Sequence, residues 1–362
     1  MDGSFWADLA CPIDRSALAV GDDRAICAAH GHEFPLVEGV PVLLRDDVEQ
    51  TIGLARASLA RARDVPGAID ERCPDLHLES LGIGDAEKTI AIALFDGERR
   101  PVDPVAAVLI AATNGMAYRG ALGSLPRYPI PDLRLPAANG ETLLDIGCSW
   151  GRWSIAAARK GYAVTGIDPS LGALVAAKRI SRSMGLDLRL VCADARHLPF
   201  REGSFATAFS YSVLQHFSRA DARRTLSEVS RVLAPGGVSL VQMPNVLGVR
   251  SLMHQARRGF SEGEGFAVRY WSLPDLMRTF SELIGPTDAS VHCYFGLGLE
   301  PSDTDLMSPA VRRLTRASEW LRAAATAFPP LIHLADSVYL KSEKAFTERR
   351  EPAPGDPAPS AR

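Results

Sequence analysis

The chain has 362 residues, 46% hydrophobic and 23% charged, with 40 Lys and Arg against 43 Asp and Glu. That balance is ordinary for a globular protein and leaves room for one large core and a second small one. A formal net charge of −3 implies no broad basic surface and argues against nonspecific nucleic-acid or anionic-membrane binding.

The start, MDGSFWADLACP, has no basic segment leading into an apolar one, so no signal peptide is expected. The longest apolar run, VAAVLIAA at 105–112, is too short to span a bilayer, so no membrane insertion is expected. The 6 cysteines, at 11, 27, 73, 148, 192 and 293, are scattered rather than arranged as a disulfide framework. A reducing, cytoplasmic setting fits them.

Residues 1–46 hold short β-like runs with paired Cys and His. The pairs are Cys11-x-x-Asp14 and Cys27-x-x-His30. All three residue types ligate zinc, so a four-ligand site of Cys11, Asp14, Cys27 and His30 is one reading. The other is a small fold that rests on its own core, since one carboxylate is uncommon in structural zinc. Residues 47–140 read as helical and irregular. Within them Asp103-Pro104 caps a helix through VAAVLIAATNGMAYRG, with Pro in its first turn.

From 141 onward, strand and helix patterns alternate. ETLLDIG is a buried strand, and WGRWSIAAARKG is a helix closed by Gly161. YAVTGID is a strand, and SLGALVAAKRISRSMG is a helix closed by Gly185. DLRLVCAD and SFATAFSYS are the third and fourth strands. A helix capped by Ser218 then runs to Pro235-Gly236-Gly237, and VSLVQMPN is the fifth strand. Such alternation predicts an α/β fold, a Rossmann-like doubly wound sheet with helices on both faces. DASVHCYF (288–295) and DSVYLKS (336–342) add two later strands. The Pro-rich tail, 346–362, is expected to be disordered.

In such sheets ligands bind beyond the carboxyl ends of the strands. The residues there are Gly147–Gly151, Asp168, Asp194, Ser210–His216 and Pro244–Asn245. Asp168, 23 positions after Asp145, can accept hydrogen bonds from both ribose hydroxyls of an adenosine. Asp194 can accept from the adenine amine. The turn lacks the G-x-G-x-x-G that closes on a pyrophosphate, because Ser149 and Trp150 stand inside Gly147-x-x-x-Gly151. That favours a phosphate-free ligand with an amino-acid end, its ammonium met by Asp145 directly or through water. S-adenosylmethionine has those parts.

LLDIGCSWGRW, VTGIDPS, VCADARHLPF, FSYSVLQHF and RVLAPGGVSLVQMPN, in that order over about residues 141–245, resemble the motifs of class I S-adenosylmethionine-dependent methyltransferases. They are most similar to the ubiquinone-biosynthesis-like branch. The resemblance implies cofactor binding by Asp145, Gly147, Cys148, Ser149, Gly151, Asp168, Pro169, Asp194, Ala195 and Tyr211. Ser149 departs from the usual Gly and puts the backbone path of the turn in question. The resemblance also makes the last strand antiparallel, with a long insertion (296–335) inside the closing pair. The segment before the first strand closes over the cofactor in this family, which nominates Tyr118, Arg119 and Tyr128 either as lining or as packing against the sheet edge. The segment after the fifth strand carries substrate contacts there, which nominates Arg269, Tyr270 and Trp271. Aromatics beside an Arg suit a flat or anionic acceptor, or Trp271 is core. Ser272 caps the next helix, with Pro274 in its first turn. His216 is the candidate general base where the acceptor must lose a proton; its other reading is packing under the cofactor.

LACPIDRSALAV and AICAAHGHEFPLVEGVPVLL resemble the small zinc-ribbon-like domain that, as a separate subunit, activates certain tRNA and translation-factor methyltransferases. The organisation expected is then a β-rich zinc-ribbon-like domain at 1–46, a helical cofactor-covering segment at 47–140, and a methyltransferase domain at 141–345 with an insertion at 246–335. The expected activity is methyl transfer from S-adenosylmethionine to oxygen or carbon of a small molecule, a secondary metabolite, quinone or glycan-type acceptor. The alternative is a macromolecular acceptor, tRNA or protein, served by a fused activating domain. A third reading is a partner-binding scaffold. Acidic net charge argues against nucleic acid, although Arg250, Arg257, Arg258 and Arg269 could form a local basic face. A homodimer is left open.

Overall fold

The computed structural model describes residues 3–49, 53–63, 76–97, 101–113, 118, 124–296, 298 and 300–346. Arg119, Cys73 and the tail beyond 346 lie outside them.

The N-terminal β-rich domain opens with α1 (Gly3–Asp8). Its antiparallel sheet has the order β1-β2-β3-β4, from β1 (Leu18–Val20), β2 (Arg24–Cys27), β3 (Glu33–Val37) and β4 (Val40–Pro41). Three helices follow: α2 (Leu54–Ala62), α3 (Asp85–Asp96) and α4 (Pro104–Thr113). Asp103 starts α4 as expected, its Oδ1 accepting from the Val105 and Ala106 amides at 2.9 and 3.3 Å.

The main sheet is built from β5 (Thr142–Ile146), β6 (Ala163–Asp168), β7 (Arg189–Cys192), β8 (Phe205–Ser210), β9 (Leu233–Pro244), β10 (Thr287–Cys293) and β11 (Ser337–Glu343). Its order is β10-β11-β9-β8-β5-β6-β7. β11 runs antiparallel to both neighbours, while the pairs from β9 to β7 are parallel. α5 (Arg152–Arg159), α6 (Leu171–Ser183), α7 (Arg219–Val232), α8 (Val249–Arg257), α9 (Leu273–Leu283) and α10 (Pro309–Ala327) complete the chain. Strand side chains alternate between two cores. Leu143 and Val164 enter one, and Leu144 and Ile167 enter the other. The sheet is therefore covered on both faces, as its apolar strands predict.

One boundary differs from expectation. α7 ends at Val232, and Pro235-Gly236-Gly237 belongs to β9. Leu233 turns to an extended conformation and pairs with Phe205, so sheet pairing takes residues that the Pro-Gly-Gly signal alone assigns to a helix end. Ser218 and Ser272 cap α7 and α9, accepting from Asp221 N and Asp275 N at 3.1 and 3.2 Å.

The N-terminal domain is joined to the main sheet at β7. Val42 bridges Cys192 in parallel, Leu43 N donates to Cys192 O at 2.8 Å, and Ala10 N donates to Pro199 O at 2.9 Å. Arg15 adds an ion pair to Glu228 at 2.9 Å. Strand order reverses between β5 and β8, the chain having run outward through β6 and β7 before returning. The carboxyl ends of β5 and β8 therefore flank the crevice where such sheets hold ligands. Among the described residues no helix is long and apolar enough to cross a membrane.

Candidate cofactor and acceptor site

The turn after β5 is held to β6 by its own amides, Gly147 N and Cys148 N donating to Ile167 O at 2.8 and 2.9 Å. Gly147 has φ +74°, and a Cβ there would lie 2.2 Å from Val213 Cγ2. Only glycine fits both constraints. Ser149, standing where the family pattern has Gly, takes the same left-handed region at φ +47°. Its backbone N–H donates to Asp168 Oδ2 at 3.0 Å, and Asp168 Oδ1 accepts from Ser170 N at 2.9 Å. Ser170 in turn caps α6. Burial pushes the Asp168 carboxyl up to about 6. Each oxygen keeps a lone pair for a further donor, as ribose hydroxyls would be.

Asp145 is buried and faces α5, accepting from Ser154 Oγ at 2.6 Å. Burial raises its carboxyl to about 7 against the Ser154 hydrogen bond, with Asp168 nearby adding repulsion. It braces the turn from beneath. One of its oxygens is thus taken by Ser154. Cys148 is likewise buried, and burial lifts its thiol well above the usual range. Pro169 contributes its carbonyl, which accepts from Ser58 Oγ at 2.7 Å and ties the helical segment to this edge. Asp194 is clasped by Arg196, whose Nη2 reaches Oδ2 at 2.7 Å and whose Nη1 reaches Asp221 at 3.2 Å. An adenine amine would share that carboxylate with the guanidinium. Ala195 is buried beside it.

Beyond β8, Tyr211 packs against Trp153, with ring centroids 4.6 Å apart. It also joins a polar layer drawn from distant parts of the chain. His292 Nε2 lies 3.0 Å from Glu300 Oε1 and 3.4 Å from the Tyr211 hydroxyl, and His292 Nδ1 lies 2.5 Å from Ser337 Oγ. Burial alone opposes charge on His292, but the Cys293 thiol and Glu300 carboxylate beside it hold its proton up to about 9. Alongside, Arg152 pairs with Asp303 at 2.5 Å, and the Tyr118 hydroxyl donates to the same Asp303 oxygen at 2.6 Å. Arg152 and Asp303 are 151 positions apart, and no local spacing links them. Tyr118 is thus a buried partner of this pair.

The acceptor candidates are more occupied than expected. Tyr128 stacks on Trp150 and accepts from Asp103 N at 2.8 Å. Arg269 is spent on carbonyls, donating to His216 O at 2.7 Å and Gly265 O at 3.1 Å. Tyr270 lies under Arg258, the guanidinium carbon 5.6 Å from its ring centre. Trp271 is a core residue rather than an exposed contact; it is buried, with Arg219 4.4 Å above its ring. The backbone explains it, since Trp271 bridges Asn245 at the end of β9. His216 stacks on Phe266 at 3.9 Å, and its Nδ1 lies 2.8 Å from Phe266 O. That bond makes Nδ1 the donor and leaves Nε2 as acceptor, 3.2 Å from the Gln215 amide nitrogen. Burial pushes its pKa down to about 4.

Residues 143–237 match a methyltransferase domain. The matched stretch contains every cofactor candidate and His216. Methyltransferase GfsG of Streptomyces halstedii is 36% identical over 107 residues, 29% of this chain and 38% of that protein. The ubiquinone biosynthesis O-methyltransferase of Caulobacter vibrioides is also 36% identical over 107 residues, 29% of this chain and 42% of that one. The chain thus spans 38–42% of the length of these relatives. Among solved structures, a SAM-dependent methyltransferase of Methanosarcina mazei aligns over 58% of this chain and 95% of its own, at 20% identity and a TM-score of 0.42.

Outside the methyltransferase domain, the N-terminal domain gathers Cys11, Asp14, Cys27 and His32, their ligand atoms all within 4.8 Å of one another. His32 replaces the expected His30. His32 Nδ1 lies 3.5 Å from Cys11 Sγ and 3.5 Å from Asp14 Oδ2. His30 is exposed and meets only the outer side of the group, 2.6 Å from Asp14. Cys27 Sγ is 3.2 Å from Asp14 Oδ2. The Ser16 amide, with Cys27 and His30, holds the Asp14 carboxyl well below the usual range, and burial lifts the Cys11 thiol to about 11. These separations suit the edges of a tetrahedron around a zinc-sized ion, and the S, S, N, O donor set is one zinc accepts.

Proposed function

We propose that the protein is an S-adenosylmethionine-dependent methyltransferase acting on oxygen or carbon of a small-molecule acceptor of the secondary-metabolite, quinone or glycan type. The observation that carries this is the turn at 147–151, whose Ser149 amide is bonded to Asp168 at the point where strand order reverses. The turn departs from the pyrophosphate-closing pattern and stands beside an acid suited to vicinal hydroxyls, and the methyltransferase match covers the same stretch. The bound cofactor supplies a methyl group on a sulfonium. The chain supplies alignment and exclusion of water, with Asp168 fixing the sugar and Asp194 and Ala195 bounding the base. His216 stands on the acceptor side as a neutral imidazole. With its pKa near 4 it is a weak base, so it serves more to hold the Phe266 segment than to take a proton. The five free thiols among the described residues fit a reducing, cytoplasmic setting.

In the N-terminal domain Cys11, Asp14, Cys27 and His32 would hold zinc, which would supply a structural crosslink. The seam between that domain and β7 favours one second reading, an acceptor on tRNA or protein presented with help from the fused domain. One experiment addresses both readings. Calorimetry with S-adenosylmethionine should show one-site binding that Asp168→Ala abolishes with little loss of folding. Incubation with methyl-labelled cofactor and fractionated cell extract should then label the small-molecule fraction. Label in the macromolecular fraction selects the second reading, and binding unchanged by Asp168→Ala refutes the site.

A further inference from the structure

Helix α8 buries Ser251, which is pinned by Asp336 Oδ1 at 2.9 Å. Val249, Leu252, Met253 and Ala256 follow the spacing of an apolar helix stripe. A helix normally turns that stripe inward. Here it faces solvent, with Val249 50% and Met253 46% exposed, and Phe260 beyond the helix 68% exposed. A second segment is strapped beside it. Asn245 Nδ2 donates to His333 O and Ala335 O at 2.8 and 3.0 Å, and Gly248 lies against Asp336. The strapped segment carries Leu334, 53% exposed, between the two carbonyls that Asn245 binds, and Leu247, two residues after Asn245, is itself 49% exposed. Monomeric proteins rarely leave such a group of side chains uncovered without use.

The charge around this face is opposite to that of the whole chain. From Val246 to Ser261 there is no acidic residue, while Arg250, Arg257 and Arg258 are basic. Arg250 and Arg257 have no ion-pair partner among the described residues. Acid resumes in sequence only at Glu262 and Glu264, and Asp336, the acid beneath α8, is buried. The net charge of −3 hides this local excess.

We propose that α8 and the adjoining Phe328–Leu334 segment dock on an anionic lipid bilayer. The exposed Leu, Val, Met and Phe side chains enter the boundary between headgroups and acyl chains, and the arginines meet lipid phosphates. RNA would use the arginines but leave the aliphatic stripe without a partner. The segment after α8 ties it to the acceptor candidate, since Arg258 Nη1 donates to Val268 O at 3.0 Å and Phe266 stacks on His216. Docking therefore turns the crevice mouth toward the membrane and an acceptor dissolved in it. Docking itself does not depend on the methyltransferase reading.

The test is sedimentation of the full chain with vesicles of phosphatidylcholine alone or mixed with phosphatidylglycerol, at low and high salt. The expected result is partition onto the phosphatidylglycerol vesicles, weakened by salt. The pair Arg250→Glu with Arg257→Glu should reduce it by about tenfold or more, and so should Leu252→Glu with Met253→Glu. Leu252, Met253 and Arg257 are exposed and Arg250 is half-buried with no ion-pair partner among the described residues, so thermal midpoint and calorimetric cofactor affinity should stay close to wild-type values. No partition, equal partition onto both vesicle types, or partition that survives both double substitutions overturns the proposal. Transfer RNA binding lost in the same variants, without vesicle binding, assigns the face to RNA instead. Absent cofactor binding with intact vesicle binding counts against the methyltransferase reading alone.

Discussion

The backbone N–H of Ser149 donates to Asp168 Oδ2 across 3.0 Å. This bond joins the turn after β5 to the acid after β6, so the carboxylate that would hold the sugar also fixes the loop that would wrap the amino-acid end.

Acid pH should separate stability from binding. Asp168 and Asp145 are raised to about 6 and about 7 by burial, above the usual carboxylate value near about 4. The folded state holds these protons more tightly than the unfolded chain. Their contribution to stability is full below pH about 4 and is lost as pH rises through those two values. Cofactor affinity runs the other way, because ribose hydroxyls need the ionised Asp168. It should rise by up to about tenfold per pH unit until about pH 6 and then flatten. Calorimetry from pH 5 to 8 reads the affinity, and a flat profile would exclude Asp168 as the sugar ligand.

Ser149→Gly should be tolerated and should stabilise by up to about 1 kcal/mol, because a left-handed φ costs a side chain about that much. Gly147→Ala should do the reverse and cost about 2–4 kcal/mol, from its φ and the clash with Val213. Urea unfolding measures both. A destabilised Ser149→Gly that still binds cofactor would mean the serine side chain has a role beyond its backbone.

Asp303→Ala should cost about 3–5 kcal/mol by leaving the Arg152 guanidinium buried without its partner. Replacing both, Arg152→Met with Asp303→Leu, should cost much less, since no charge is then stranded. Comparable losses in the single and double variants would show that the pair matters for its shape and not its charge.

Metal content decides between two neighbouring histidines. Protein purified without a metal-affinity tag should carry close to one zinc per chain. His30→Ala should keep it, while His32→Ala and Cys27→Ser should lose most of it, because His32 completes the donor set. Zinc near zero in the wild type removes the metal reading altogether.

His216→Ala should leave the turnover number within about threefold, since a base with pKa near 4 gains little from neutral solution. The visible cost should be in stability, from the lost stacking on Phe266 and the lost bond to its carbonyl. A drop of a hundredfold or more with folding intact would restore His216 as the base.

The sheet was legible because its signals are local. Each strand is a short apolar run, and several helices carry their own caps, as with Ser218, Ser272 and Asp103. The positions of Asp168 and Asp194 were legible for the same reason, since they fall at or just after the ends of their strands. What was not legible depends on contacts between distant segments. Nothing near Asp194, just after β7, announces that Arg196 also reaches Asp221. Nothing near His292 announces Glu300 and Tyr211 folding onto it. His30 fits the C-x-x-H spacing, yet the hairpin between β2 and β3 turns His32 toward Cys11. Trp271 reads as an aromatic beside an Arg, and only its bridge to Asn245 shows that it belongs to the core.

The link between Leu43 and Cys192 has a consequence for anyone trimming this protein. β7 ends the main sheet, and an uncovered terminal strand is a template for unwanted pairing with other copies. The N-terminal domain blocks that template with its own backbone. A version starting after residue 46 should therefore self-associate and precipitate, even where its crevice is left whole.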